Sequence, residues 1–96
     1  PCITSAESLP DPQSLAMRLS VNGDLKQDAS TAQQIFPVAA VIEFISSFVT
    51  LEAGDMISTG TPSGVGATTQ TFLKSGDRIE AHIESIGTLI SPVVAE

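Results

Sequence analysis

Met17-Arg18-Leu19-Ser20-Val21-Asn22-Gly23-Asp24-Leu25-Lys26-Gln27 is the stretch on which the fold turns. Met17, Leu19 and Val21 alternate with Arg18 and Ser20, the period of two that marks a half-buried strand. Asn22-Gly23 follows at once, and both residues tolerate the positive φ of a type I′ turn. Leu25 and Gln27 continue on a return strand. Residues 16 to 28 therefore predict a β-hairpin.

Outward toward the N-terminus, residues 5 to 15 contain Pro10, Pro12 and several turn formers, which predicts an irregular surface segment. Toward the C-terminus, residues 29 to 36 form a polar connection into a helix. Pro37 suits a first helical turn, where its missing N–H costs nothing. Val38, Val41, Ile42 and Ile45 form an apolar stripe at helical period, so a helix is expected to about Ser47 and to pack on a sheet. Leu51-Glu-Ala-Gly-Asp55 and Leu73-Lys-Ser-Gly-Asp77 share one pattern, a turn feeding a strand. The strands expected after them are Met56–Thr59 and Arg78–Ala81. Ile79, Ala81 and Ile83 alternate with Glu80, His82 and Glu84, and Gly87 separates that strand from a last one near Thr88 to Val94. The inventory is roughly six short strands and one helix, an α+β fold that is mostly β and antiparallel.

Composition narrows the function classes. The chain has 96 residues, 42% apolar and 16% charged. That is enough for one domain and too apolar for disorder. Four basic residues against eleven acidic ones give a net charge of −7. Four scattered cations make no basic patch, which argues against nucleic acid and against an anionic membrane surface as partners. Cys2 is the only cysteine, so neither an intrachain disulfide nor a cysteine-based metal cluster is possible. The start lacks the pattern of a secretory signal. A cytoplasmic setting is the expectation.

Three places could hold chemistry. Thr59-Gly60-Thr61-Pro62-Ser63-Gly64-Val65-Gly66 sets three glycines and three hydroxyls after an apolar segment. Such a loop can turn backbone N–H groups and hydroxyls onto an anion, though a plain Gly-rich connection has the same composition. It has no lysine at the Walker spacing and no helix pattern after it, so it is not read as a P-loop. Glu80-x-His82-x-Glu84 places two carboxylates and an imidazole on one strand face. Their roots stand about 6.5–7 Å apart, awkward for one metal ion, and the solvent face of an amphipathic strand is the plainer reading. Cys2 has no activating cation in sight and is expected to be buried or inert. Asp55 and Asp77 are read as turn carboxylates accepting backbone hydrogen bonds, and Ser46 and Ser47 as hydrogen-bonders at a helix end.

Several segments occur together, in order, in one family. Arg18-Leu-Ser-Val-Asn-Gly23 with Gln27-Asp28, Ile35-Phe36, Thr50-Leu-Glu-Ala-Gly-Asp55 and Thr59-Gly-Thr-Pro-Ser-Gly-Val-Gly66 are followed by Leu73-Lys-Ser-Gly-Asp77, Ile86-Gly-Thr-Leu89 and Pro92-Val93. This pattern resembles the C-terminal part of the fumarylacetoacetate hydrolase superfamily from about Pro1 to Glu96. The resemblance implies a mixed β-roll or sandwich with one main helix, commonly in a homodimer. It implies enzymes that bind Mg²⁺ or another divalent cation and act on 2-oxo acids and related dicarboxylates. Their chemistry is C–C bond hydrolysis, decarboxylation, isomerisation or hydration, with a metal-chelated enolate as the common thread. By position, Thr59 would contact a substrate carboxylate or oxygen, and Gly60 and Thr61 would shape the same wall.

The resemblance carries no catalytic and no metal-binding residue onto this chain. The family's Glu-x-Glu pair, its later Asp, its lysine and its His-Glu pair all lie upstream of the segment present here. Gln33-Gln34 stands where a Met is frequent, Pro37 replaces an acidic position, and Ser85 and Ser91 stand where Gly and Asn are common. The expectation is therefore the C-terminal portion of one catalytic domain, inactive alone, with exposed strand edges and apolar surface. Its N-terminal portion would be on a second chain or lost. The alternative is a non-catalytic β-domain serving as a subunit or interaction module.

Overall fold

The computed structural model describes residues 2–95. Four strands, β1 (Ala16–Val21), β2 (Asp24–Ser30), β3 (Arg78–Ile83) and β4 (Gly87–Pro92), form one antiparallel sheet in the order β2-β1-β3-β4. Two helices, α1 (Val38–Ser46) and the single turn α2 (Gly66–Thr69), lie in the long connection between β2 and β3. No helix among the described residues is long and apolar enough to cross a membrane.

The β1–β2 hairpin closes as its sequence requires. Val21 pairs with Asp24, leaving Asn22 and Gly23 as the two turn residues, with φ of 53° and 86°. The register then slips. Leu19 faces Gln27 and Ser20 faces Leu25, so Lys26 is an extra residue, a bulge in an edge strand. A bulge reverses the alternation that follows it. Leu25 is 56% exposed, while Gln27 is half-buried.

The second hairpin pairs Ile83 with Gly87 across Glu84-Ser85-Ile86, with Ser85 in the left-handed region at φ 62°. Pro92 falls on the other edge strand, β4, where a missing N–H is tolerated. The two hairpins join through β1 and β3, with Val21 opposite Ile79 and Met17 opposite Ile83. Asn22 locks this seam. Its N–H donates to the Arg78 carbonyl, its Nδ2 donates to Asp77 Oδ1, and its Oδ1 accepts from the Arg78 N–H, all at 2.9 Å.

The two Leu-x-x-Gly-Asp segments form one turn twice. Asp55 Oδ2 accepts the Glu52 N–H at 2.8 Å, and Asp77 Oδ2 accepts the Lys74 N–H at 2.7 Å. Gly54 and Gly76 sit at φ 103° and 94°, backbone that a Cβ would strain. The second turn feeds β3 as expected. The first does not feed a strand: Met56–Thr59 lies outside the sheet, and the expected inventory of strands falls to four. An extended segment becomes a strand only when a neighbour takes its backbone groups, and none of the four strands does so here.

Helix α1 starts one residue later than expected, with Pro37 as its N-cap at ψ 158° and its carbonyl accepting the Val41 N–H. Ser46 and Ser47 hydroxyls donate to the Glu43 and Phe44 carbonyls and end it. The expected packing of α1 on the sheet is absent, since the substantial contacts between elements are those within the sheet. Val38 and Ile42 remain exposed, as do Phe44 and Phe48, whose rings meet edge to face at 5.2 Å. A helix packs on a sheet only where the two apolar faces meet, and no described element brings them together.

Only Leu15, at 3% exposure, is buried among the described residues. The accessible surface is 7521 Å², against roughly 5,200 Å² for a compact monomer of this mass. The radius of gyration is 15.5 Å, against about 12.5 Å for a compact chain of this length. The hydrogen-bonded sheet supplies the order, not a core.

Candidate functional site

The loop that follows the first turn is seated on the edge of the sheet. Gln27, the half-buried residue beside the bulge, donates its side-chain amide to the Thr61 hydroxyl at 3.0 Å, to the Pro62 carbonyl at 2.9 Å and to the Ser63 carbonyl at 3.4 Å. Gly64 then passes so close to β2 that a Cβ would run into the Lys26 carbonyl, and its φ is 104°. The bulge at Lys26 and the glycine at 64 are thus two halves of one contact. The turn α2 begins at Gly66, so a short helix does follow the loop, contrary to expectation. Four residues give too little sequence to show a helical period.

Thr59, Gly60 and Thr61 come together on one wall of a cavity of about 580 Å³. Gln34 and the apolar Ile35 and Phe36 line it as well. Gly60, at φ 97°, lets the backbone reverse between the two threonines. No side chain lining this cavity is charged. Its polar groups are hydroxyls, amides and backbone, suited to fixing ligand oxygens by directed hydrogen bonds. A larger hollow of about 730 Å³, between the hairpin and Phe72-Leu73, contains Gly64 and Gly66 but neither threonine. Its lining carries charged side chains of both signs, Lys26 and Lys74 with Asp24 and Asp77.

Thr59 is held from behind. Gln34 Nε2 donates to Thr59 Oγ1 at 3.2 Å. The Gln34 oxygen accepts from Gln13 Nε2 at 2.8 Å, and Gln13 Nε2 also donates to the Thr31 carbonyl at 2.9 Å. Gln13 Oε1 accepts the Val38 N–H at the start of α1, again at 2.9 Å. Sequence reading did not place Gln13, Gln27 and Gln34 at the site. Gln34 stood out only within the pair Gln33-Gln34, where the resemblance makes a Met frequent, and amides that meet across long sequence separations leave no periodic signal.

The other candidates disperse. Glu80 pairs with Arg78 at 2.7 Å, His82 Nδ1 meets Thr88 Oγ1 at 2.9 Å, and Glu84 accepts the Ala16 N–H at 2.9 Å. The described residues contain no group of three or more His, Cys, Asp or Glu able to hold one metal ion. Cys2 is exposed rather than buried, because the segment before β1 lies on the surface. Asp77 and Asp55 are the turn acceptors already described. The Asn22 amide and the Lys74 N–H, with a smaller pull from the Lys74 charge, hold the Asp77 carboxyl below the usual carboxylate range.

The family model "Fumarylacetoacetate (FAA) hydrolase C-terminal" matches residues 1–94. Over 95 residues the chain is 44% identical to oxaloacetate tautomerase YisK of Bacillus subtilis, covering 97% of this chain and 32% of that protein. It is 40% identical over 94 residues to the 4-hydroxyphenylacetate degradation bifunctional isomerase/decarboxylase of Escherichia coli, covering 98% of this chain and 21% of that one. The crystal structure of maleylpyruvate hydrolase from Sphingobium sp. SYK-6, in complex with manganese(II) ion and pyruvate, superposes with a TM-score of 0.87 at 40% identity. That match covers 96% of this chain and 33% of the other. The α+β, mostly β fold read from the sequence is the fold of these neighbours. The chain spans about a third or less of the curated relatives it matches.

Proposed function

The chain belongs to the fumarylacetoacetate hydrolase family, and on that premise we propose that it forms the substrate-binding part of an enzyme acting on a 2-oxo acid or a related dicarboxylate. The reaction class is C–C bond hydrolysis, decarboxylation or isomerisation. All three make one chemical demand when applied to a 2-oxo acid: negative charge gathers on the 2-oxo oxygen as an enolate develops. Oriented donors in a site shielded from water lower that barrier. The observation that carries the reading is the uncharged cavity wall of Thr59, Gly60 and Thr61. The Thr59 hydroxyl would bind a carboxylate or keto oxygen of the substrate. Gly60 and Thr61 would set the shape into which the rest of the substrate fits.

The described residues do not fit a divalent cation, since no cluster of metal-ligating side chains exists among them. We assign Mg²⁺, Mn²⁺ or another divalent ion to residues outside this chain, along with the groups that move protons. The unusually large accessible surface supports a covering N-terminal portion, and Ile35, Phe36 and Phe48 are the apolar groups it would cover. A second copy of the protein in a homodimer would cover more.

The test is Thr59→Val in the intact protein. Removing one hydroxyl that contacts substrate is expected to weaken binding of a 2-oxo acid by about tenfold, with metal affinity unchanged. Unaltered substrate binding would remove Thr59 from the site.

A further inference from the structure

Resting on that reading, we infer that Gln34 is the specificity-determining partner of Thr59: it turns the Thr59 hydroxyl proton away from itself and toward the cavity, so that the site favours a ligand oxygen that accepts. The polarity is forced step by step from the backbone. The Val38 N–H can only donate and the Thr31 carbonyl can only accept. Gln13 touches both, so its oxygen faces Val38 and its amide nitrogen faces Thr31. That nitrogen's second proton goes to Gln34, so the Gln34 atom facing Gln13 is its oxygen. The Gln34 amide nitrogen is thereby turned to Thr59 Oγ1. A hydroxyl that already accepts there keeps its own proton for something else. Among the described residues no protein group accepts that proton, and the hydroxyl lines the cavity. A carboxylate or ketone oxygen satisfies it. An amide N–H placed there leaves the Thr59 proton without an acceptor.

The probe is pyruvate, measured by titration calorimetry on the intact protein with Mn²⁺ present, each variant referred to wild type at the same pH. Gln34→Glu is close to isosteric and reverses the polarity. Its ionised carboxylate takes the Thr59 proton and sets a negative charge beside an anionic ligand. Affinity at pH 8 is expected to fall on the order of tenfold or more and to recover toward wild type as pH drops and the carboxyl regains a proton. None of the wild-type side chains lining the cavity is charged, so none of them titrates against the new carboxyl. Gln34→Met is expected to give a smaller, pH-independent loss that disappears in a Thr59→Val background, where no hydroxyl remains to orient. If Gln34→Glu binds like wild type, or loses affinity equally at all pH values, the role of Gln34 is overturned. A Gln34→Met loss that persists in full without the Thr59 hydroxyl overturns it as well. If wild-type protein does not bind pyruvate, or Thr59→Val binds it unchanged, the underlying assignment of the site fails first.

Discussion

Leu51–Asp55 and Leu73–Asp77 are the same turn with different fates. Each closes with an Asp carboxylate accepting an N–H three residues back and a glycine at positive φ. After the second, Arg78 enters β3, a strand that pairs with β1 on one side and β4 on the other. After the first, Met56–Thr59 runs unpaired into the loop that walls the cavity. The difference is in the neighbours. Asp77 accepts a further hydrogen bond from the Asn22 side chain, and its carbonyl accepts the Val93 N–H. Asp55 has no counterpart to either among the described hydrogen bonds. A local motif specifies a turn, and tertiary partners decide whether a strand follows.

That contrast can be broken hardest at the point where the unpaired segment touches the sheet. Gly64→Ala combines a positive-φ penalty with a collision at the Lys26 carbonyl. It is expected to cost about 3 kcal/mol and to weaken pyruvate binding by displacing Thr61, read by urea unfolding and calorimetry of the intact protein. Gly60 has open space where its Cβ would go. Alanine there is expected to cost only about 1 kcal/mol, and equal losses at the two positions would show that backbone strain alone matters.

Gln27→Leu is the intermediate case. It leaves Thr61 and two loop carbonyls without their donor, for an expected loss of about 1–2 kcal/mol. Hydrogen exchange should quicken in residues 61–66 while β1 and β3 stay protected. Faster exchange across the whole sheet would mean that loop and sheet are one cooperative unit.

The smallest effect separates the two aspartates by pH. The folded Asp77 carboxyl is held below the ordinary carboxylate value, first by Asn22 and then by the Lys74 N–H. Its contribution is therefore present above the unfolded pKa of about 3.9 and is lost as pH falls through the lower folded value. Asp77→Asn should flatten the acid limb of the stability curve, measured by thermal unfolding from pH 6 down to pH 2. An unchanged acid limb would deny that Asn22 holds this carboxylate.

What was legible in the sequence follows the same division. Asn22-Gly23, the Val38–Ile45 stripe and the alternation around His82 each report a local period or turn chemistry, and the turn, the helix and the strand formed, though the helix does not pack on the sheet. Met56–Thr59 carried the same strand signal and failed because pairing is not local. Thr59, Gly60 and Thr61 were singled out through the family pattern, and they line one cavity. The amides of Gln13, Gln27 and Gln34 that hold this wall were not found. A glutamine has no period, and its partners lie far along the chain.

The sheet order has a kinetic meaning. Each hairpin can form on its own in microseconds, but β1 and β3 meet only when the long connection from Thr31 to Asp77 has closed. Closure entropy grows slowly, about 0.6 kcal/mol for each doubling of loop length. Lengthening or shortening the connection that carries Thr59 therefore scarcely taxes the sheet. The scaffold can keep its folding route while the segment that carries Thr59 is rewritten.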